Sequence, residues 1–173
     1  MEKETKRFYR YDDATEQRIN EEGYDWFRAG VVIMDKNKKK VLVVQEAHGW
    51  IRGLWNIPVG HVKRGESILD AAKREAKEES GYTCALAGVC HIGQRCDDGN
   101  PYIAIIFVAE ANGHRTEVDE NDILEVTWKP IEEVLWLART GQVRNVDMML
   151  EAIDNVRDNT IGPLELVKIY APR

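Results

Sequence analysis

Residues 60–82 read GHVKRGESILDAAKREAKEESGY, and the rest of the chain is best read outward from them. Gly65 marks a turn and Gly81 stands where a helix normally stops, so Glu66 to Glu79 is expected to be helical. At about 100° per residue, Ile68, Leu69, Ala72 and Ala76 share one arc and would face a core. Glu75, Glu78 and Glu79 run along the adjoining edge of that arc, while Asp70, Lys73 and Lys77 point the other way. Like charges three or four residues apart on a helix repel by a few tenths of a kcal/mol per pair. A helix that keeps such charges at the margin of its buried face either meets open solvent there or holds something positive.

Upstream, AGVVIMD (29–35) and KVLVVQE (40–46) are β-branched runs joined by a charged turn, which predicts a hairpin. HGWIRG reads as a loop, and LWNIPVG as a short strand ending at Pro58 and Gly60. Downstream, TCALAGVCHIGQ and PYIAIIFVAE read as strands separated by the turn-rich RCDDGN. An acidic loop, HRTEVDEND, leads to the alternating strand ILEVTWK, and Pro130 opens a helix over PIEEVLWLA. NVDMMLEAIDNVRD is a second amphipathic helix, and PLELVKIY reads as a last strand. Strands mixed with two or three helices predict an α/β sandwich, one mixed sheet with helices packed on it. Residues 1–27 are polar with scattered aromatics and read as an N-terminal extension that forms an extra strand, a short helix or a dimer arm, periodicity not deciding between them. Residues 28–173 carry no repeat or linker and read as one domain.

Composition narrows the function classes. With 173 residues the chain can bury a real core, and 43% hydrophobic with 31% charged residues is ordinary for a soluble globular protein. A net charge of -6 argues against a binder of nucleic-acid polymers, whose affinity needs clustered Lys and Arg. A small anionic substrate stays open if a metal or a local Arg supplies positive charge. Cys84, Cys90 and Cys96 are odd in number with no C-x-x-C pair, so they are expected to be reduced thiols. The N-terminus lacks the apolar segment of a signal peptide, and runs such as IAIIFVA are too short to span a bilayer. The expected location is therefore the cytosol.

The spacing in the opening stretch is specific. Gly60, five residues, Glu66, seven residues, then Arg74-Glu75-Ala76-x-Glu78-Glu79-x-Gly81-Tyr82 matches the pattern G-x5-E-x7-R-E-U-x-E-E-x-G-U. Ala76 is small for the bulky position U. At ordinary residue usage, a chance match is on the order of one in ten million. This pattern resembles the box of the Nudix (MutT-like) hydrolase family, with fold and box covering roughly residues 28 to 137. The resemblance implies an α/β/α sandwich with a mixed sheet and a loop–helix–loop motif. It also implies that Glu75, Glu78 and Glu79 hold Mg²⁺ or Mn²⁺, with the Gly60 carbonyl as a further ligand. Hard divalent cations favour oxygen ligands and keep several waters, so a carboxylate cluster suits them and explains the crowded like charges. The resemblance further implies structural parts for Glu66, Arg74 and Gly81, with Glu66 and Arg74 as an ion pair that fixes the loop to the helix.

The reaction so implied is attack of water on phosphorus in a diphosphate linkage of a nucleoside di- or triphosphate or similar small diphosphate. The resemblance implies a general base from a Glu outside the box, either on the box helix or on a later loop. Glu120 is the first choice for that role, with Glu117 second, in a loop also crowded by Asp119, Asp122 and Glu125. Arg52 and Arg95 are candidates to grip a phosphate, although a surface role fits either. Trp50 and Tyr102 are candidates to stack on a base, whereas Trp55 reads as core. His61 sits at a position the motif leaves free, at best a phosphate contact; His48, His91 and His114 show no ligand-type pairing. IPVGHV and the C-terminal RNVDMMLEAIDNVRDNTIGPLELV resemble a phosphatase-like branch acting on nucleotides and small pyrimidine diphosphates, which would bring Arg144 to the site. Two other readings compete: a non-catalytic binding module of this fold, and an isoprenoid diphosphate isomerase. The intact box glutamates argue against the first, and the cysteine positions against the second.

Overall fold

A computed structural model describes residues 24–96, 101–113 and 115–170. The elements run β1 (Tyr24–Met34), β2 (Lys40–Glu46), β3 (Trp55–Asn56), β4 (Val59–Val62), α1 (Ile68–Ser80), β5 (Thr83–Arg95) and β6 (Tyr102–Asn112), followed by β7 (Ile123–Pro130), α2 (Ile131–Arg139), α3 (Val146–Arg157) and β8 (Gly162–Pro163). Eight strands form one mixed sheet in which β1 is central: β6 runs parallel along one side of it and β4 antiparallel along the other.

The period-2 alternation of β1 builds both layers. Ala29, Val31 and Ile33 face Ala71, Ala72 and Ala76 of α1, with Phe107 and Val62 between them. Val32 and Met34 face the other way, into a second core with Val134, Leu135, Met149 and Ile153 of α2 and α3. The result is the expected α/β/α sandwich. Among the described residues, no helix is long and apolar enough to cross a membrane.

Several local readings change. β1 and β2 share only the register pair Met34↔Val41, so the expected hairpin exists at its turn and then splays. The reason is competition: β4 takes the free edge of β1, while β2 pairs with β7 and β3. LWNIPVG divides into β3 and β4 around Pro58, which has no N–H for a ladder. The helix begins at Ile68 with Ser67 as its cap, and Glu66 stands before it. Ala71 joins the buried face of that helix, and Ile68 and Leu69 are only half-buried. Pro130 caps α2 from outside its first turn. At the C-terminus only Gly162–Pro163 pairs as a strand, followed by a single 3₁₀ turn at Leu164–Leu166. The first strand starts at Tyr24, inside the segment read as an extension; residues 1–23 of that segment, and with them the dimer-arm reading, lie outside the described residues.

Candidate metal and substrate site

The segment from β4 through α1 is tied together by one guanidinium. Arg74 donates from Nε and Nη2 to the two carboxylate oxygens of Glu66, at 2.8 and 2.9 Å. Its Nη1 reaches Glu75 Oε1 at 2.6 Å and Glu78 Oε2 at 2.8 Å, and Nη2 also donates to the His61 carbonyl at 2.8 Å. Glu66 in turn accepts the Lys63 backbone N–H at 3.0 Å, closing the loop ahead of the helix. At the start of α1 the Ser67 hydroxyl accepts the Asp70 N–H. At its end Gly81 adopts φ 76°, and a Cβ there would also collide with the Thr116 carbonyl.

Gly60 is needed for a different reason. A Cβ built on it would collide with the Glu75 carboxyl, so that carboxyl rests directly on the glycine backbone. Glu79 approaches from the same helix, and its Oε2 accepts the Val59 N–H at 2.9 Å. Burial holds the Glu75 carboxyl above its usual range. Burial, with the Glu75 charge as the next cause, pushes Glu79 well above it. The shared Arg74 hydrogen bond holds Glu66 below the ordinary carboxylate value.

Among the described residues, no three His, Cys, Asp or Glu side chains are gathered as a ready-made ion cage. Arg74 bridges Glu75 and Glu78, and Glu79 turns to a backbone amide. The donor set nevertheless fits a divalent ion. It consists of carboxylate oxygens, two of them desolvated and near each other, whose charged forms a cation would favour.

The other sequence-derived candidates fall in separate places. Trp50 is 85% exposed on the 3₁₀ turn Gly49–Ile51. Arg52 donates from Nη1 to the Ala47 carbonyl at 2.6 Å, so its guanidinium braces its own loop. Tyr102 is not an open platform: it is 9% exposed, Arg28 lies over its ring at 4.4 Å, and its hydroxyl is 3.5 Å from Asn145 Oδ1. Trp55 is half-buried with Lys129 over its ring, in keeping with a packing role. Arg95, Tyr102 and Arg144 come together along a cavity of about 440 Å³ between β5, β6 and the start of α3, with His91, Asn145 and Asp147. Arg144 also reaches the box side, where its Nη1 donates to Glu46 Oε1 at 3.0 Å.

Glu120 is exposed on a loop anchored at both ends. Thr116 accepts Lys77 Nζ at 2.6 Å and donates its N–H to the Gly81 carbonyl. The Asp122 carbonyl accepts the Ala47 N–H, and its carboxylate lies 2.7 Å from His48 Nε2. Cys84 and Cys90 sit in the two cores with their thiols pushed by burial to about 11 and about 12, while Cys96 is exposed at the end of β5. That placement does not suit the proton-transferring thiol an isomerase needs. Sequence reading missed Glu46 and Asn56, both buried beside Arg144; the one cue was a Glu at the end of the β-branched run KVLVVQE.

Comparison with known proteins agrees with this geometry. The chain is 28% identical over 151 residues to putative nudix hydrolase 1 of Caenorhabditis elegans, covering 86% of this chain and 40% of that protein. It is 31% identical over 131 residues to the human 8-oxo-dGDP phosphatase NUDT18, covering 73% of this chain and again 40% of the relative. The chain thus spans less than half the length of these curated relatives. Its fold matches a solved NUDIX hydrolase from Nitrosomonas europaea with a TM-score of 0.73 at 24% identity, covering 83% of this chain and 96% of that one. The sequence model of the NUDIX domain matches residues 26–150, and with the box intact inside that span the chain belongs to the Nudix family.

Proposed function

We propose that this domain hydrolyses a phosphoanhydride bond in a nucleoside di- or triphosphate, or a similar small organic diphosphate, with Mg²⁺ or Mn²⁺. The observation that carries this reading is the complete set of box side chains, organised around Arg74 with two carboxyls desolvated against β4. Glu75, Glu78 and Glu79 are read as the carboxylates that hold the ion, with the Gly60 carbonyl as a further ligand. Bound there, the ion supplies charge neutralisation at phosphate oxygens and acidifies a bound water. Glu66 and Arg74 hold the loop against the helix. Glu120 is read as the base: it takes a proton from the attacking water as a new P–O bond forms, and the bond to the bridging oxygen breaks with its electron pair. Its loop is fixed at Thr116 and Asp122, which supports a side chain presented from a defined position. Arg95 and Arg144 are read as contacts to the rest of the substrate, and the open indole of Trp50 as a surface on which a base can stack.

The test is a phosphate and pyrophosphate release screen with Mg²⁺ and Mn²⁺. Because one relative is named an 8-oxo-dGDP phosphatase, oxidised and ordinary nucleoside diphosphates come first, then triphosphates, ADP-ribose and thiamine-pathway diphosphates. Glu78→Gln is expected to cut a metal-dependent rate by more than about 100-fold while the fold persists. Wild-type activity in that variant sinks the metal assignment, and an unchanged rate in Glu120→Gln removes it as base. Tight binding of one compound without turnover of any would favour the binding-module reading.

A further inference from the structure

Glu46 ends β2 at 6% exposure, where a carboxylate is seldom left without partners. Its backbone is fixed to the following loop: its N–H donates to the Leu54 carbonyl at 3.0 Å, and its carbonyl accepts the Gly53 N–H at 2.9 Å. Its Oε1 accepts Asn56 Nδ2 at 2.9 Å and Arg144 Nη1 at 3.0 Å. Arg144 is held from its other end as well. Its backbone N–H donates to the Trp55 carbonyl at 2.9 Å, and Val143 bridges in parallel to Trp55. Nη1 makes the one side-chain hydrogen bond of this guanidinium among the described residues, so its other N–H groups are left for the cavity that it lines.

Two costs are accepted at this corner. The Glu46 charge adds to the electrostatic load on Glu79, so a further carboxylate beside the box is unfavourable taken alone. Asn56 is fully buried, and its Oδ1 meets no donor among the described residues. The amide cannot gain by flipping, because that would set Oδ1 against a carboxylate oxygen. An apolar pair would fill the same space without either cost.

We propose that Glu46, steadied by Asn56, is a positioning residue: it fixes the Arg144 guanidinium between the box carboxylates and the cavity, and so sets how tightly the substrate is held. The inference rests on the hydrolase reading above. The cavity has charged and amide side chains at its wall, and the ring of Tyr102 is covered on one face by Arg28. With Arg95 and Arg144 matched by Asp147 and Glu151 along that wall, it suits a polar, hydroxyl-bearing group read by hydrogen bonds.

A double-mutant cycle tests this. Steady-state constants are measured with Mg²⁺ and 8-oxo-dGDP or ADP for wild type, Glu46→Gln, Arg144→Gln and the double variant, alongside Tm. Glu46→Gln keeps shape and an acceptor but loses charge; it is expected to raise KM on the order of tenfold with a much smaller change in kcat. The double variant should be no worse than Arg144→Gln alone. An unchanged KM in Glu46→Gln, or two effects that simply multiply, overturns the proposal. If Glu46→Gln does not fold, Glu46→Asp and Arg144→Lys take its place, and a wild-type KM in both overturns it equally. If neither nucleotide is turned over, the cycle is run on whichever compound of the screen is. Absence of turnover of the whole screen by wild type is a failure of the hydrolase reading; the same cycle read as dissociation constants for 8-oxo-dGDP and ADP then decides Glu46, and no binding of either to wild type overturns both.

Discussion

The box segment and the Glu46–Asn56–Arg144 corner are both charged, buried in part and close to one another, yet they are assembled in opposite ways. In the box, the partners of Arg74 lie 1, 4, 8 and 13 residues away along the chain, so a turn and one helix bring them together. At the corner, Glu46 meets Asn56 at a separation of 10 and Arg144 at a separation of 98. Two strands, β2 and β3, and the link between α2 and α3 must be in place before that contact exists. A local network leaves a spacing pattern in the sequence; a network closed by the whole fold leaves none.

If the box is a self-contained unit, removing its hub should cost the most. Arg74→Ala is expected to lower unfolding free energy by about 3 kcal/mol, because it strands two nearly buried carboxylates, Glu66 and Glu75. Arg74→Lys should recover only part, since a point charge cannot fork to both Glu66 oxygens. Urea midpoints measure both, and a loss below about 1 kcal/mol would mean the hub is not organising the segment. Gly60→Ala comes next. Its methyl group would overlap the Glu75 carboxyl, for a cost of about 2 kcal/mol and loss of metal-induced stabilisation, read as the Tm change on adding Mg²⁺. A Tm response equal to wild type would separate that carboxyl from the ion.

The pH dependence sharpens the contrast within the box itself. Glu66 lies below its ordinary value of 4.5 in the native state, so its stabilisation is present above that value and is lost as pH falls through the native one. Glu66→Gln should therefore flatten the acid limb of stability below about pH 4.5. Glu75 and Glu79 carry the opposite sign, since both are raised: their contribution is full below 4.5 and is lost as pH rises through their native values. Added Mg²⁺ should accordingly raise Tm more at pH 7 than at pH 5, and an equal response at both would contradict the sign. The smallest effect is expected where the acidic loop meets the β2 end. The His48–Asp122 pair has side chains 60% and 67% exposed, so Asp122→Asn should change stability by less than about 1 kcal/mol. A larger loss would show that this loop belongs to the rigid part of the site.

How far the sequence could be read follows the same division. Alternation in β1 and the helical arc of α1 record which face is buried, so the sandwich was legible from residues such as Val31, Val32 and Ala72. Strand partners were not, because an edge is contested by elements far away: β4 takes the edge of β1 that a simple hairpin would give to β2. Tyr102 looked like a stacking platform in the sequence, and only the fold puts Arg28 on its ring. Resemblance of its surrounding stretch points to Arg144, whereas no spacing in the sequence singles out Glu46.

By itself the sequence determined the box, its helix, the stop at Gly81 and the clustering of three glutamates, because each depends on neighbours within a few turns. Tertiary structure alone decided that Glu75 rests on Gly60, that Glu79 is desolvated against Val59, and that Arg144 joins the box to the cavity. Desolvation and long-range ion pairing are properties of what packs around a side chain, and the chain does not write its packing partners next to one another.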